Sequence, residues 1–289
     1  VGAAGGGRRR GARACRARRA GRLTELAAVP VRRLITIPIS HYCEKARWAL
    51  ERAGLGYVEE RHVQGVHRVA ARRAGGGSTV PVLVAPEGVF AESRQILAHA
   101  DESLPEGRRL FPADPSTRRD VEAVSRWLDE GLGPEGRRLM YAHMLEQRGL
   151  MLRFNCQGVP RRERLVMTAL WPAVVRWGRR ELGIAPGTAR EDEARVWATF
   201  EAVGERLRDG RRHLCGDRFT AADLTFAALS ASVLVPPEYG VSLPQPEALP
   251  AELAALVRTH REHPAGEYAL RLFREERHRR VRAVDGPAA

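Results

Sequence analysis

The chain has 289 residues, 44% of them hydrophobic and 29% charged, which supplies a core for two modest domains or one large one. Its formal charge of +13 is almost entirely arginine, with Lys45 the one lysine, and it gathers at the ends: eight arginines against one acid in residues 1–30, six against three in residues 271–289. The middle is close to neutral and carries no basic stripe or nucleic-acid motif, so nucleic-acid binding is not expected despite the net charge.

Residues 1–30 open with "VGAAGGGRRRGARACRARRAG", rich in Arg and Gly and lacking the apolar stretch of a secretory signal. A disordered basic tail, or sequence ahead of the native start, is expected there. "RRLITI" (32–37) is a β-rich run. Residues 41–53 then place Cys43, Ala46, Leu50 and Ala53 on one face at helical spacing, and Gly54 and Gly56 close the helix. "YVEERHV" (57–63) alternates as a second strand; residues 64–74 form a short helix or irregular chain, and "GGGS" (75–78) a flexible joint. "TVPVLVAPEGVFAES" (79–93) reads as strand, tight turn, strand, with Pro86 and Gly88 in the turn. A helix over 93–102 follows, with Ser93 expected as its cap.

"LPEGRRLFPADPS" (104–116) is a linker by composition. Beyond it the period is helical throughout, predicting helices near 117–131, 137–152, 160–182, 190–210, 220–232, 248–259 and 265–280. "VPPEYGVSLPQPEALP" (235–250) is too rich in proline for anything but loop. The pattern is α/β plus all-α: a sheet domain over 31–103, a linker over 104–116, an all-helical domain over 117–282 and a flexible end at 283–289. No apolar run reaches the roughly 20 residues that cross a membrane. Cys15, Cys43, Cys156 and Cys215 form no CxxC and no metal-spaced pair with histidine. A reduced, cytoplasmic protein without a metal is expected.

The chemistry gathers at "ITIPISHYCEKARWALERAG" (35–54), a strand feeding a helix through a sharp turn. Backbone N–H groups at such a helix start favour a thiolate, carboxylate or phosphate. Ser40 stands at or beside the N-cap, and Cys43 follows on the core-facing stripe. A serine in this place serves equally as a plain cap, and a cysteine on that stripe as a small buried hydrophobe. Pro81 adds to the picture, because proline cannot donate to a sheet ladder. Either the strand lies at an edge, or Val80–Pro81 is cis and presents the N–H and C=O of the preceding residue to a peptide-like ligand. The "ES" at 92–93 opens another helix whose free amides suit a carboxylate.

These pieces resemble the glutathione transferase superfamily. "SHYCEKARWAL" (40–50) is similar to its active-site turn, "STVPVLV" (78–84) to its cis-proline segment and "FAESRQIL" (90–97) to its acidic-serine turn. "LCGDRFTAADLTFAAL" (214–229) resembles its buried helix start, with Thr220 and Asp223 as capping box, and "EHPAGEYALRLFREER" (262–277) resembles a tail of bacterial members. The resemblance implies a thioredoxin-like N-terminal domain, an all-helical C-terminal domain, glutathione as co-substrate and a homodimer. It places Ser40 at the catalytic position and Cys43 at the second, inner cysteine of a CxxC. Val80, beside Pro81, would bind the cysteinyl backbone, and Glu92 and Ser93 the γ-glutamyl group. The thiolate would attack a small-molecule electrophile against a wall that includes Trp127, Met140, Tyr141 and Met144. Another low-molecular-weight thiol replaces glutathione in a source that makes none. Two rivals accompany this reading: a binding or structural protein without turnover, and a thiol-dependent reductase using Cys43. Residues 130–163 look like an expansion near the electrophile pocket.

Overall fold

The computed structural model describes residues 31–279, so the tails expected at 1–30 and 283–289 lie outside the described residues. The sheet segment runs β1 (Arg32–Thr36), α1 (His41–Arg52), β2 (Tyr57–Arg61), α2 (Val66–Arg73), β3 (Val82–Ala85), β4 (Gly88–Phe90) and α3 (Ser93–Glu102). The strand order is β2-β1-β3-β4. β1 and β2 pair in parallel with Leu34 opposite Glu59, whereas β1–β3 and β3–β4 are antiparallel with Leu34 opposite Leu83 and Val84 opposite Val89. Alternation along the strands divides the faces. Leu34 and Leu83 join the main core with α1 and α3, while Ile35 and Val82 pack with Ala71 of α2 on the other side.

β3 lies inside the sheet, so Pro81 is not an edge residue; the Val80–Pro81 peptide is cis and the strand begins just after it, at Val82. Gly54 takes a positive φ of 69° just past the end of α1, where a side chain would be strained. Ser93 is the first residue of α3 and not its cap: the capping position is Glu92, with extended backbone and no side-chain cap bond.

The remaining helices are α4 (Pro115–Glu130), α5 (Leu132–Met144), α6 (Arg148–Asn155), α7 (Arg161–Ala169), α8 (Trp171–Leu182), α9 (Thr188–Leu207), α10 (Ala221–Leu234), α11 (Ala251–Glu262) and α12 (Pro264–Glu276). Two long helices expected from periodicity are each broken. The one predicted over 137–152 turns between α5 and α6, where Gln147 N–H returns to the Met144 carbonyl at 2.9 Å. The one predicted over 160–182 leaves helical geometry at Leu170 (φ −97°, ψ 19°), two residues before Pro172, which has no N–H to continue the ladder.

α10 is apolar on every side and buried almost throughout, as a central helix must be. It packs on α1, α4, α5 and α12, and one core runs from Leu34 to Phe273 through both parts of the fold. Its N-terminus carries the expected capping box of Thr220 and Asp223. The fully buried Asp223 also accepts the Leu214 N–H at 2.7 Å and the hydroxyl of Tyr268, so α10, α12 and the preceding loop meet on one carboxylate. Asp223→Ala strands these donors in the core. We expect it to cost about 3–5 kcal/mol, read as a lower urea midpoint with an unchanged slope; a midpoint within error of wild type contradicts the anchoring role.

Candidate functional site

The β1–α1 turn is built around a buried cation. Arg47 donates to the carbonyl of Pro38 at 2.9 Å and to that of Ile37 at 3.4 Å, and it pairs with Glu59 at 2.8 Å and Glu44 at 3.2 Å. Glu44 also accepts the Gly240 N–H at 3.0 Å and pairs with Arg277. Tyr239 hydroxyl donates to the Ile39 carbonyl at 3.1 Å. Three successive carbonyls of the turn are thereby tied down from beneath.

Ser40 tops this platform. It is the N-cap of α1, and its Oγ accepts the Cys43 N–H at 3.4 Å. Half-buried, it lines a cavity of about 180 Å³. Cys43 is wholly buried, and burial pushes its thiol up from the ordinary range despite the nearby Arg47. Of the two catalytic candidates in the turn, Ser40 faces the cleft and Cys43 packs in the core.

Two hollows adjoin here. The first, with Ser40 at its rim, is apolar: Met140, Tyr141, Met144, Met151 and Phe154 form its wall. The second is polar, about 300 Å³, and brings together Val80, Pro81, Glu92 and Ser93. Both are bordered by Tyr42, Thr79, Val80 and Arg137. The expected wall residues Met140, Tyr141 and Met144 are in place. Trp127 is not among them; it stands 40% exposed on α4.

The 130–163 segment supplies most of the apolar wall through α5 and α6. It is fastened to the chain after β2: Glu163 accepts the Val63 N–H at 3.1 Å and faces His62 Nδ1 at 2.9 Å. Gln64 donates to the Tyr141 hydroxyl at 2.8 Å and to Asn155. Met151 follows Met144 by two helical turns in sequence, a spacing that could have flagged it despite the intervening bend. Tyr42, Arg137 and Tyr239 carry no such signal.

The polar hollow has mixed charge. Asp129 is held by the buried Lys45 at 2.8 Å to both oxygens and, through its carbonyl, by the Tyr42 hydroxyl at 2.8 Å. Glu92 lies 3.6 Å from Arg94. With no side-chain cap on α3, its first amides are left to a ligand or water. Among the described residues no group of three or more His, Cys, Asp or Glu is placed to hold a metal.

Next to Ser40, His41 is buried, and its Nε2 has no partner. Burial and the charge of Arg137 push its pKa down to about 3, with the Gly133 backbone pulling weakly the other way.

Residues 34–108 match the family model for the glutathione S-transferase N-terminal domain. No curated protein matches the chain in sequence. Among solved structures, a glutathione S-transferase from Xanthobacter autotrophicus py2 has a TM-score of 0.54 at 18% identity, covering 83% of this chain and 91% of its own. Beta-etherase LigF from Sphingobium sp. strain SYK-6 has a TM-score of 0.52 at 18% identity, covering 83% and 99%. A glutathione S-transferase-I bound with the ligand lactoylglutathione has a TM-score of 0.52 at 14% identity, covering 84% and 99%. The fold these likenesses define is a thioredoxin-like domain followed by helices. The family match covers the N-terminal domain, residues 34–108, and the solved structures extend the likeness in fold to the helices that follow.

His41 sets an acid limit on the fold. Between its ordinary pKa of 6.5 and its folded value of about 3 the unfolded chain binds a proton that the folded chain refuses. Stability therefore falls as pH drops below 6.5, by up to about 1.4 kcal/mol per unit from this group. Urea unfolding at pH 7 and pH 5 should show wild type losing about 2 kcal/mol more than His41→Gln over that interval. Equal losses contradict the assignment.

Proposed function

We propose that this chain activates the thiol of glutathione for attack on a small electrophile. The observation that carries the reading is the meeting of a polar and an apolar hollow along Tyr42, Thr79 and Val80, beside the Ser40 turn. A peptide thiol laid in the polar hollow has its γ-glutamyl end at Glu92 and Ser93 and its cysteinyl backbone on the main chain of Val80, next to Pro81. Its sulfur then comes to Ser40. The Ser40 Oγ accepts from the Cys43 N–H and keeps its own hydrogen to donate.

A hydroxyl donor and the start of α1 both favour a thiolate, lowering the thiol pKa from about 8.5. The thiolate attacks an electrophile held by the methionine and aromatic wall, and the thiol proton leaves to solvent. Another low-molecular-weight thiol of similar shape fits the same description. A structural neighbour that holds lactoylglutathione supports a glutathione conjugate as occupant. The reading includes a detoxifying role, a homodimer, and a reducing cytoplasmic setting. Cys43, Cys156 and Cys215 are unpaired thiols, and no described helix is long and apolar enough to cross a membrane. Cys43, buried and with a raised pKa, is a poor nucleophile for the reductase alternative.

Loss of one hydrogen bond to a charged sulfur costs about 1.5–3 kcal/mol, or roughly 10- to 150-fold in rate. Conjugation assays should therefore show Ser40→Ala losing about that much in kcat/KM for glutathione, with its pH profile moved upward. Cys43→Ala should lose less than about threefold, since it removes a buried sulfur that stabilises the fold. The opposite order sinks the serine assignment.

A further inference from the structure

We infer that the electrophile is an apolar molecule carrying an anionic group, a carboxylate or its equivalent, that pairs with Arg137. This deepens the proposed transfer reaction and rests on reading the apolar hollow as the electrophile site. Among the residues that line that hollow Arg137 is the single charged side chain, and no Asp or Glu joins it. It is exposed and makes no hydrogen bond or salt bridge among the described residues. Its neighbour Arg138, by contrast, is committed to Asp192 at 2.6 Å.

Arg137 also borders the polar hollow, so it stands where the two meet, the place the proposed reaction gives to sulfur and reacting carbon. The polar hollow has further cations of its own in Arg94 and Arg126, which the apolar one lacks. The charge of Arg137 is felt by His41, Tyr42 and Tyr141, three groups around the rim. A guanidinium without a counterion over an apolar wall matches a carboxylate in geometry and is weakly hydrated. A neutral substrate would leave that cation to water; an anionic one would be drawn to the rim with its apolar body directed at Met144, Met151 and Phe154.

A matched pair of aryl chlorides separates these cases: 4-chloro-3,5-dinitrobenzoate and its primary amide, which share ring and leaving group and differ in charge. In either reaction the glutathione thiolate forms a C–S bond at the chlorine-bearing carbon, the C–Cl bond breaks, chloride departs and the thiol proton goes to solvent. Arg137→Gln should lower kcat/KM for the benzoate about three- to fivefold, the upper range for an exposed ion pair. It should change the value for the amide, and the KM for glutathione, by less than about twofold. Equal losses on both chlorides, or a rise confined to the glutathione KM, overturn the assignment.

A second measurement does not depend on turnover: calorimetric binding of 4-phenylbutanoate and 4-phenylbutanamide to the full chain without any thiol. Wild type should prefer the acid, and Arg137→Gln should lose that preference. If wild type shows the preference but conjugates neither chloride, the transfer reading fails while the anionic site stands. No preference in wild type overturns the anionic site itself.

Discussion

A buried charge network beneath the β1–α1 turn is the constraint on which the rest of the site depends. Arg47 and Glu44 lie one turn apart on α1, both almost wholly buried, and reach Glu59 on β2 and Arg277 at the end of α12. Isolated buried charges would be intolerable, so each requires the others. Arg277 adds a bond to Glu51 at 2.7 Å, and Arg52 pairs with Glu276 at 2.7 Å. Both partners lie at the end of the chain's last described helix, so α1 is clamped from the far side of the molecule. Trp48 completes the clamp, donating to the Glu276 carbonyl at 3.2 Å beside Phe273. Rigidity of this kind is what the proposed thiol activation needs, since a hydroxyl displaced by an ångström loses its hydrogen bond.

The two hollows follow from the same arrangement. Fixing α1 fixes Tyr42, whose hydroxyl ties to α4 through the Asp129 carbonyl, and Lys45, whose ammonium ties to the Asp129 carboxylate. These bonds hold α4 against the sheet domain and shape the polar hollow between them. The loop carrying Tyr239 and Gly240 is pinned to Ile39 and Glu44, so one wall of the apolar hollow is set by the network that holds the turn. The other wall comes from the 130–163 segment, anchored through Glu163 and Gln64. In the proposed reaction, the electrophile wall rests on a segment tied to the chain after β2, and the thiol-activating turn on the buried clamp.

Much of this was legible in the residues. Strands, turns and most helix positions follow from periodicity; Pro81 within a strand pattern left an edge strand or a cis peptide open, and the structure contains the cis peptide in an internal strand. The inward phase of Cys43 was readable from helical spacing, and the capping place of Ser40 from the strand-to-helix turn. The two broken helices were not, because a local bend at Met144 and the Trp171–Pro172 start of α8 leave the apolar period almost intact on either side. Ser93 read as a cap because serine favours that place, yet the extended residue is Glu92, and Ser93 is drawn into the buried first turn. Arg137 at the junction of the hollows and Tyr239 in the apolar one were hidden for another reason. Arg137 is one arginine among many, and Tyr239 sits in a loop whose prolines obscure any pattern. Their places arise from elements far apart in the chain, which no local spacing encodes.

The central claim is that one cleft holds a peptide thiol with its sulfur at Ser40. A crystal structure of the chain with glutathione tests it most directly. The account predicts the sulfur within hydrogen-bond reach of Ser40 Oγ, the cysteinyl backbone paired with the main chain of Val80, and the γ-glutamyl carboxylate at the start of α3 beside Glu92 and Ser93. Glutathione bound elsewhere, or bound in this cleft with its sulfur turned away from Ser40, would contradict it.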